Sequence, residues 1–421
     1  MKTTLILIGF LLLGLTSVSI AQDTLKLDLR QAEQLFLKEN YELIAQRYET
    51  EQAKADVITA KLFDNPELNY ENLFYNHETK KFLETSMATG QYAASISQLI
   101  KLAGKRNKNI KLANTGVKMS SDAYFDLMRT LRYDLRSNFY KTYYAQQSAA
   151  VYQEQIKALE QLLNASTQQY NMGNIALKDV IRIKSLLYNL KSEYSTLMND
   201  IEDLQTQLRL MTRIKADTPL QLVLKEEDQH DELSQHPYIA LLDSARANRA
   251  DLQLSKTSVL YAERNLSLQK AMAIPDVELS LSYDLKGNYP EKYTGLGITV
   301  PLPLFNRNQG EIKKARVAID AAQNNLSQQE SLLENEVYNS YRSALRTEQL
   351  YQSLDQQFNG DFQRLITEVT KNFNSRNISL IEFLDFYDSY KENTLQMNNL
   401  RYERMNAKEE INYVTGSVIF K

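Results

Sequence analysis

The chain has 421 residues but only 12 Gly and 7 Pro, well below the roughly 7% and 5% of ordinary proteins, so a few very long helices are expected rather than many short strands. Cysteine is absent and His77, His230 and His236 are the only imidazoles, which excludes disulfides, thiolate metal sites, a catalytic thiol and a lipid-modified cysteine. A net charge of −3 from 49 basic and 52 acidic residues leaves no electrostatic footprint for nucleic acid.

Residues 1–21 read as a cleavable secretory signal. Lys2 supplies the positive start, and Ser19 and Ala21 are the small cleavage-site residues. The apolar stretch from Leu5 to Ile20 falls short of the roughly 20 residues that span a bilayer.

The body repeats one pattern twice, with landmarks about 200 residues apart. Asn65-Pro66-Glu67-Leu68 is echoed by Ile274-Pro275-Asp276-Val277, and Leu102-Ala103-Gly104-Lys105-Arg106 by Leu304-Phe305-Asn306-Arg307-Asn308. Tyr170-Asn171-Met172-Gly173-Asn174 is echoed by Phe373-Asn374-Ser375-Arg376-Asn377. The expected organisation is a first repeat at 22–212, a linker at 213–236 and a second repeat at 237–421. In the first repeat, 28–62 is expected to be helical, 66–101 to hold two strands, and 105–170 and 177–212 to be helical. In the second, the helices are expected at 237–273, 309–372 and 378–415, and the strands at about 275–304. A helix over 105–170 would be about 100 Å long at 1.5 Å per residue, so the fold class is mainly α, elongated and coiled-coil-like, with a β portion.

The second strand pair alternates strictly. Val277, Leu279, Leu281, Tyr283 and Leu285 oppose Glu278, Ser280, Ser282, Asp284 and Lys286. Leu296, Ile298, Val300, Leu302 and Leu304 oppose Gly295, Gly297, Thr299, Pro301 and Pro303. Alternation also suits a half-buried soluble sheet, but strands of about 10–12 residues suit a tilted membrane strand of roughly 9–11. Four strands cannot close a barrel, and lipid tolerates no open edge. The chain is therefore expected to oligomerise.

These residues resemble the outer-membrane efflux protein family, the TolC-like channels, over essentially the whole chain after the signal. The carriers are the duplication, Asn65-Pro66, Gln98-Leu99-Ile100-Lys101-Leu102-Ala103-Gly104-Lys105-Arg106, and Pro301-Leu302-Pro303-Leu304-Phe305-Asn306-Arg307-Asn308-Gln309-Gly310-Glu311. The Gly-Lys-Arg and Pro-Leu-Phe-Asn-Arg-Asn-Gln-Gly forms resemble the heavy-metal cation branch. The resemblance implies a homotrimer in the outer membrane of a Gram-negative bacterium. Its 12-stranded β-barrel would continue into a periplasmic α-barrel. A periplasmic adaptor (a membrane fusion protein) and an inner-membrane pump of the resistance–nodulation–division type would complete a passive conduit. No cofactor and no enzymatic activity are implied.

The breaks at 170–177 and 373–380 would then form the periplasmic tip that meets the adaptor. Gly173 and Asn174 keep the family's form there, while Arg376, beside Asn377, departs from it. Glu382 and Asp385 share a helix face at i, i+3 and match the family's acidic constriction, where threefold symmetry makes carboxylate rings. Their alternative role is to complement a helix N-terminus. Asp388 extends the face by a further i+3 step, and Asp179 sits at the matching place in the first half, with Arg182 or Arg376 as partner. Glu226, Glu227, Asp228, Asp231 and Glu232, with His230 and His236, read as a solvated linker rather than a metal site. His77 sits near a hairpin tip at 76–83. The competing functions are a multidrug or polypeptide-secretion channel, and a periplasmic scaffold without a pore.

Overall fold

The computed structural model describes residues 24–224, 233–287, 290–353, 358–375 and 377–420. The signal segment, Arg376, His230 and the acidic run from Glu226 to Glu232 lie outside the described residues.

The chain opens with β1 (Leu25–Asp28), α1 (Leu29–Glu39) and α2 (Tyr41–Lys61). Next come β2 (Glu67–Asn72), a small hairpin of β3 (Tyr75–Asn76) and β4 (Lys81–Phe82), and β5 (Tyr92–Ile100). The helices α3 (Lys105–Asn171) and α4 (Leu177–Thr212) follow, then β6 (Leu220–Val223). The second half runs through α5 (Tyr238–Asn248), α6 (Ala250–Met272), β7 (Val277–Asp284) and β8 (Tyr293–Thr299). It ends with α7 (Gln309–Ser353), α8 (Phe358–Asn374) and α9 (Leu380–Thr415).

Four features differ from the sequence reading. The stretch 66–101 holds four strands, β2 to β5, rather than two. The helices expected at 28–62 and 237–273 are each broken once, at Asn40 and Arg249, where the backbone is extended, and the helix expected at 309–372 is described as Gln309–Ser353 and Phe358–Asn374, with 354–357 outside the described residues. Asn40 ends α1 and caps α2, its side chain accepting from Glu42 and Leu43 N–H. The last strand stops at Thr299 rather than 304, because Pro301 and Pro303 have no N–H for the ladder, so β7 and β8 hold 8 and 7 residues instead of the roughly 10–12 expected. Finally, β1 and β6 form an unanticipated parallel pair, Leu25 to Leu220 through Asp28 to Val223.

The helices lie side by side as a wall. The 67-residue α3 is flanked by α2 and α6 along its first part and by α4 and α9 along its later part. α7 packs on α6 and then on α9, and α8 packs on α9. Three buried clusters hold this together. At mid-length Leu27, Phe36 and Leu222 pack on Leu135 and Phe139 of α3. Leu241, Leu242 and Phe420 pack on Val337 and Ile411. Near the hairpin ends Leu159 and Leu187 meet Val369, Phe383 and Tyr387. The outer helices leave large apolar side chains exposed, including Tyr48 and Ile58 on α2, Ile181 and Tyr188 on α4, and Val317 and Tyr338 on α7.

The main sheet has the order β2-β5-β7-β8, antiparallel throughout. The β5–β7 ladder joins the two halves of the chain. β2 and β8 are the edges and run in opposite directions.

Candidate functional site

Register divides the sheet into two chemically distinct faces. One face carries the cross-strand rows Leu68–Ile96–Leu281–Leu296 and Tyr70–Ala94–Tyr283–Thr294. Leu68, Tyr70, Ile96, Leu281, Leu296 and Ile298 on it are exposed. The other carries Glu67–Ser97–Ser280–Gly297, Asn69–Ser95–Ser282–Gly295 and Glu71–Ala93–Asp284–Tyr293. Its side chains are small or polar, and a Cβ at Gly297 would stand 2.5 Å from Ser280 Oγ. Glu67, Glu71, Glu278 and Asp284 give this face four carboxylates, and none of the four strands contains Lys or Arg. An exposed apolar face backed by a polar one inverts a water-soluble sheet and suits a barrel wall with lipid outside and water inside.

The strands are pinned to the helices by the repeated landmarks. Gly104 adopts φ +68° at the start of α3, a left-handed turn that glycine enters without cost. Lys105 is then buried and its Nζ lies 2.6 Å from Asp276 Oδ1, which also accepts from Leu102 N–H at 2.8 Å. Arg106 donates twice to Lys61 O, at 2.9 and 2.6 Å, and its guanidinium lies 4.2 Å from the Phe63 ring centre. In the second half Asn308 Nδ2 donates to Gln269 O at 2.8 Å.

The other ends of the long helices form two tight hairpins. Gly173 has φ +78°. Its N–H donates to Tyr170 O at 2.8 Å, and Asn174 N–H reaches Gln169 O at 2.9 Å, which together close α3. The amide of Asn174 also donates to Gln169 Oε1 at 2.8 Å. Asn377 repeats both contacts with Asn372, at 2.9 and 3.2 Å. The two turns thus share individual hydrogen bonds.

The acidic residues beyond these turns differ in role. Glu382 is exposed and closes a capping box: its Oε2 accepts from Ser379 N–H at 2.8 Å while its own N–H donates to Ser379 Oγ at 3.2 Å. The hydrogen bonds from Ser379 hold its carboxyl below the usual range. Asp385 is exposed one turn on. Asp388 is drawn to Lys391 at 3.0 Å, and Lys391 also reaches Glu193 of α4 at 3.2 Å. Burial works against the Lys391 charge, but Asp388 and Glu193 outweigh it and hold the ammonium above its ordinary range. Asp179 lies in the first turn of α4, and among the described residues Arg182 makes no ion pair with it. The brace through Lys391 and Glu193 was not anticipated. Its only local signal is the i, i+3 spacing of Asp388 and Lys391, because Glu193 lies on another helix.

Among the described residues no helix is long and apolar enough to cross a membrane, and no group of three His, Asp or Glu side chains could hold a metal ion. His77 is exposed on the β3–β4 hairpin against Tyr75.

Known proteins share both sequence and shape with this chain. It is 22% identical to the cobalt-zinc-cadmium resistance protein CzcC of Cupriavidus metallidurans over 297 residues, 70% of this chain and 68% of that one. Its fold matches the CmeC outer membrane channel of Campylobacter jejuni with a TM-score of 0.75 at 15% identity, covering 92% of this chain and 85% of that one. It matches CusC with a TM-score of 0.72 at 16% identity, covering 92% of each. The family model for outer membrane efflux proteins matches residues 32–212 and 241–417, and on that match the chain belongs to the outer membrane efflux protein family.

Proposed function

We propose that the chain is the outer-membrane duct of a tripartite efflux system and passes heavy-metal cations outward without transforming them. The observation that carries this reading is the four-stranded sheet with one exposed apolar face, one acidic face and two free edges. Because β2 and β8 run oppositely, β8 of one copy can pair antiparallel with β2 of the next, and a ring closes without a lipid-exposed edge. Three copies give a 12-strand barrel, and the exposed apolar side chains of α2, α4 and α7 become contacts between copies of the helical tube. The repeats 22–212 and 237–421, joined by 213–236, each contribute half of one wall segment, after export on the 1–21 signal.

Glu67, Glu71, Glu278 and Asp284 then face the water path and favour cations. The similarity to a cobalt-zinc-cadmium resistance protein points to the same cargo class. A pump of the resistance–nodulation–division type in the inner membrane supplies the energy. A periplasmic adaptor meets the tip at Gly173, Asn174, Arg376 and Asn377. Glu382 and Asp385 form carboxylate rings at the aperture, with Asp179 nearby, while Asp388 braces Lys391.

Deleting the gene and restoring it on a plasmid tests the cargo. The expected result is sensitivity to cobalt, zinc or cadmium that the plasmid reverses. Unchanged metal tolerance together with sensitivity to organic drugs would contradict the metal assignment.

A further inference from the structure

The connection between β2 and β5 is a folded unit rather than a simple turn. The last rung of the main sheet is Leu73 N–H to Gln91 O at 3.0 Å. The chain then changes partner: Leu83 N–H donates to Phe74 O at 3.0 Å, and Tyr75 and Asn76 pair with Phe82 and Lys81. Beneath this hairpin the buried Asn76 donates to Thr89 O at 2.9 Å and accepts from Glu78 and Thr79 N–H. The Glu84 carboxylate gathers the hydroxyls of Thr79, Ser86 and Thr89. The unit leaves Phe74, Phe82, Leu83 and Met87 exposed. The Phe74 and Phe82 rings meet edge to face at 5.4 Å, and the adjoining Lys80 and Lys81 are exposed.

This patch continues an apolar surface already described. At the same end of the sheet Tyr70, Tyr92 and Tyr283 form a row across three strands, with ring centres 6.3 and 6.1 Å apart. Aromatic rows of this kind mark the boundary between hydrocarbon and headgroups on barrel walls. Aromatic rings beside lysines suit an anionic lipid surface, the rings at the acyl boundary and the ammonium groups among phosphates.

We infer that the β3–β4 hairpin is a membrane-surface anchor, with Phe74 and Phe82 seated in the outer leaflet and Lys80 and Lys81 against anionic headgroups. This rests on the outer-membrane reading of the sheet.

The chain contains no Trp, so one introduced tryptophan is an unambiguous reporter. Three full-length variants, Phe82→Trp, Leu296→Trp and Tyr188→Trp, would be reconstituted in vesicles of phosphatidylethanolamine and phosphatidylglycerol with brominated acyl chains. Leu296→Trp reports the strand face and Tyr188→Trp the helical wall away from the sheet. The expected result is severalfold greater bromine quenching for Phe82→Trp and Leu296→Trp than for Tyr188→Trp. Phe82→Trp should also be protected from aqueous iodide. Quenching of Leu296→Trp but not Phe82→Trp would overturn the anchor alone, whether iodide reaches Phe82→Trp or a protein contact shields it. Failure to quench Leu296→Trp would overturn the membrane face and the anchor together. Phe74→Trp provides the same reading if Phe82→Trp does not assemble.

Discussion

Lys105 and Asp276 are joined across the two halves of the chain by a 2.6 Å ion pair that fastens the start of α3 to the entry of β7. Both side chains are largely buried, and Asp276 also receives Leu102 N–H. Removing one partner of such a pair strands the other charge, at a cost of about 3–5 kcal/mol. Lys105→Ala is therefore expected to lower the urea midpoint of the refolded channel sharply. Replacing both residues with apolar ones should restore much of the loss, since the stranded charge is gone.

The first tip hairpin depends on the left-handed Gly173. Nothing lies within 4 Å of a Cβ built there, so the cost of Gly173→Ala is conformational alone, about 1–2 kcal/mol. Gly173→Asn should cost less, because Asn enters this region more readily. Equilibrium unfolding of the three proteins would give the order Gly, Asn, Ala.

Glu382 can act as a helix cap, a pore carboxylate, or both, and two substitutions separate these roles. Gln at the third helical position still completes a capping box, so Glu382→Gln keeps the cap while removing the charge. Glu382→Ala removes both. If the carboxylates form the aperture, Glu382→Gln already changes single-channel conductance or cation block. If Glu382 only caps α9, Glu382→Gln matches the parent and Glu382→Ala alone alters the tip. The carboxyl is held below its ordinary range, so its capping contribution is present above the ordinary carboxylate pKa. It is lost as pH falls through the lowered value.

At the break between α5 and α6, Arg249 is 2% exposed and binds Asp251 and Glu336. Burial pushes the Asp251 carboxyl up, but the hydrogen bonds and charge of Arg249, with Arg129 behind, outweigh it and hold it below the usual range. A depressed carboxylate stabilises the fold above its unfolded pKa of about 3.9, and that contribution fades as pH falls through the folded value. Asp251→Asn should therefore flatten the acid limb of the stability–pH curve, measured as melting temperature between about pH 5 and pH 2. Arg249→Ala should cost about 3–5 kcal/mol at neutral pH.

The legible part of the fold was written in local signals. Proline and glycine mark the junctions, and period-two alternation marks β7 and β8. The breaks at Asn40 and Arg249 carry neither Pro nor Gly, so a helical pattern runs straight through them. The β1–β6 pair joins two four-residue segments far apart in sequence, and such short non-local pairing leaves no periodic trace. Gly104-Lys105-Arg106 was legible as a junction, but its partners Asp276, Lys61 and Phe63 are fixed only in three dimensions. At the tip, Ser379 three residues before Glu382 is a visible capping-box signature. The Lys391–Glu193 contact depends on which helices are neighbours. The polar face of the first strand pair, with Glu67 and Glu71, emerged only once register aligned it with Glu278 and Asp284.

A pore assembled from copies of this chain and lined by Glu67, Glu71, Glu278 and Asp284 should favour cations, which single-channel recording in planar bilayers under a potassium chloride gradient measures. Discrete conductance steps are expected, with a reversal potential of the sign for cation preference that Glu71→Gln combined with Glu278→Gln reduces. Folded, inserted protein that gives no conductance steps, or a reversal potential of the opposite sign, would contradict that expectation.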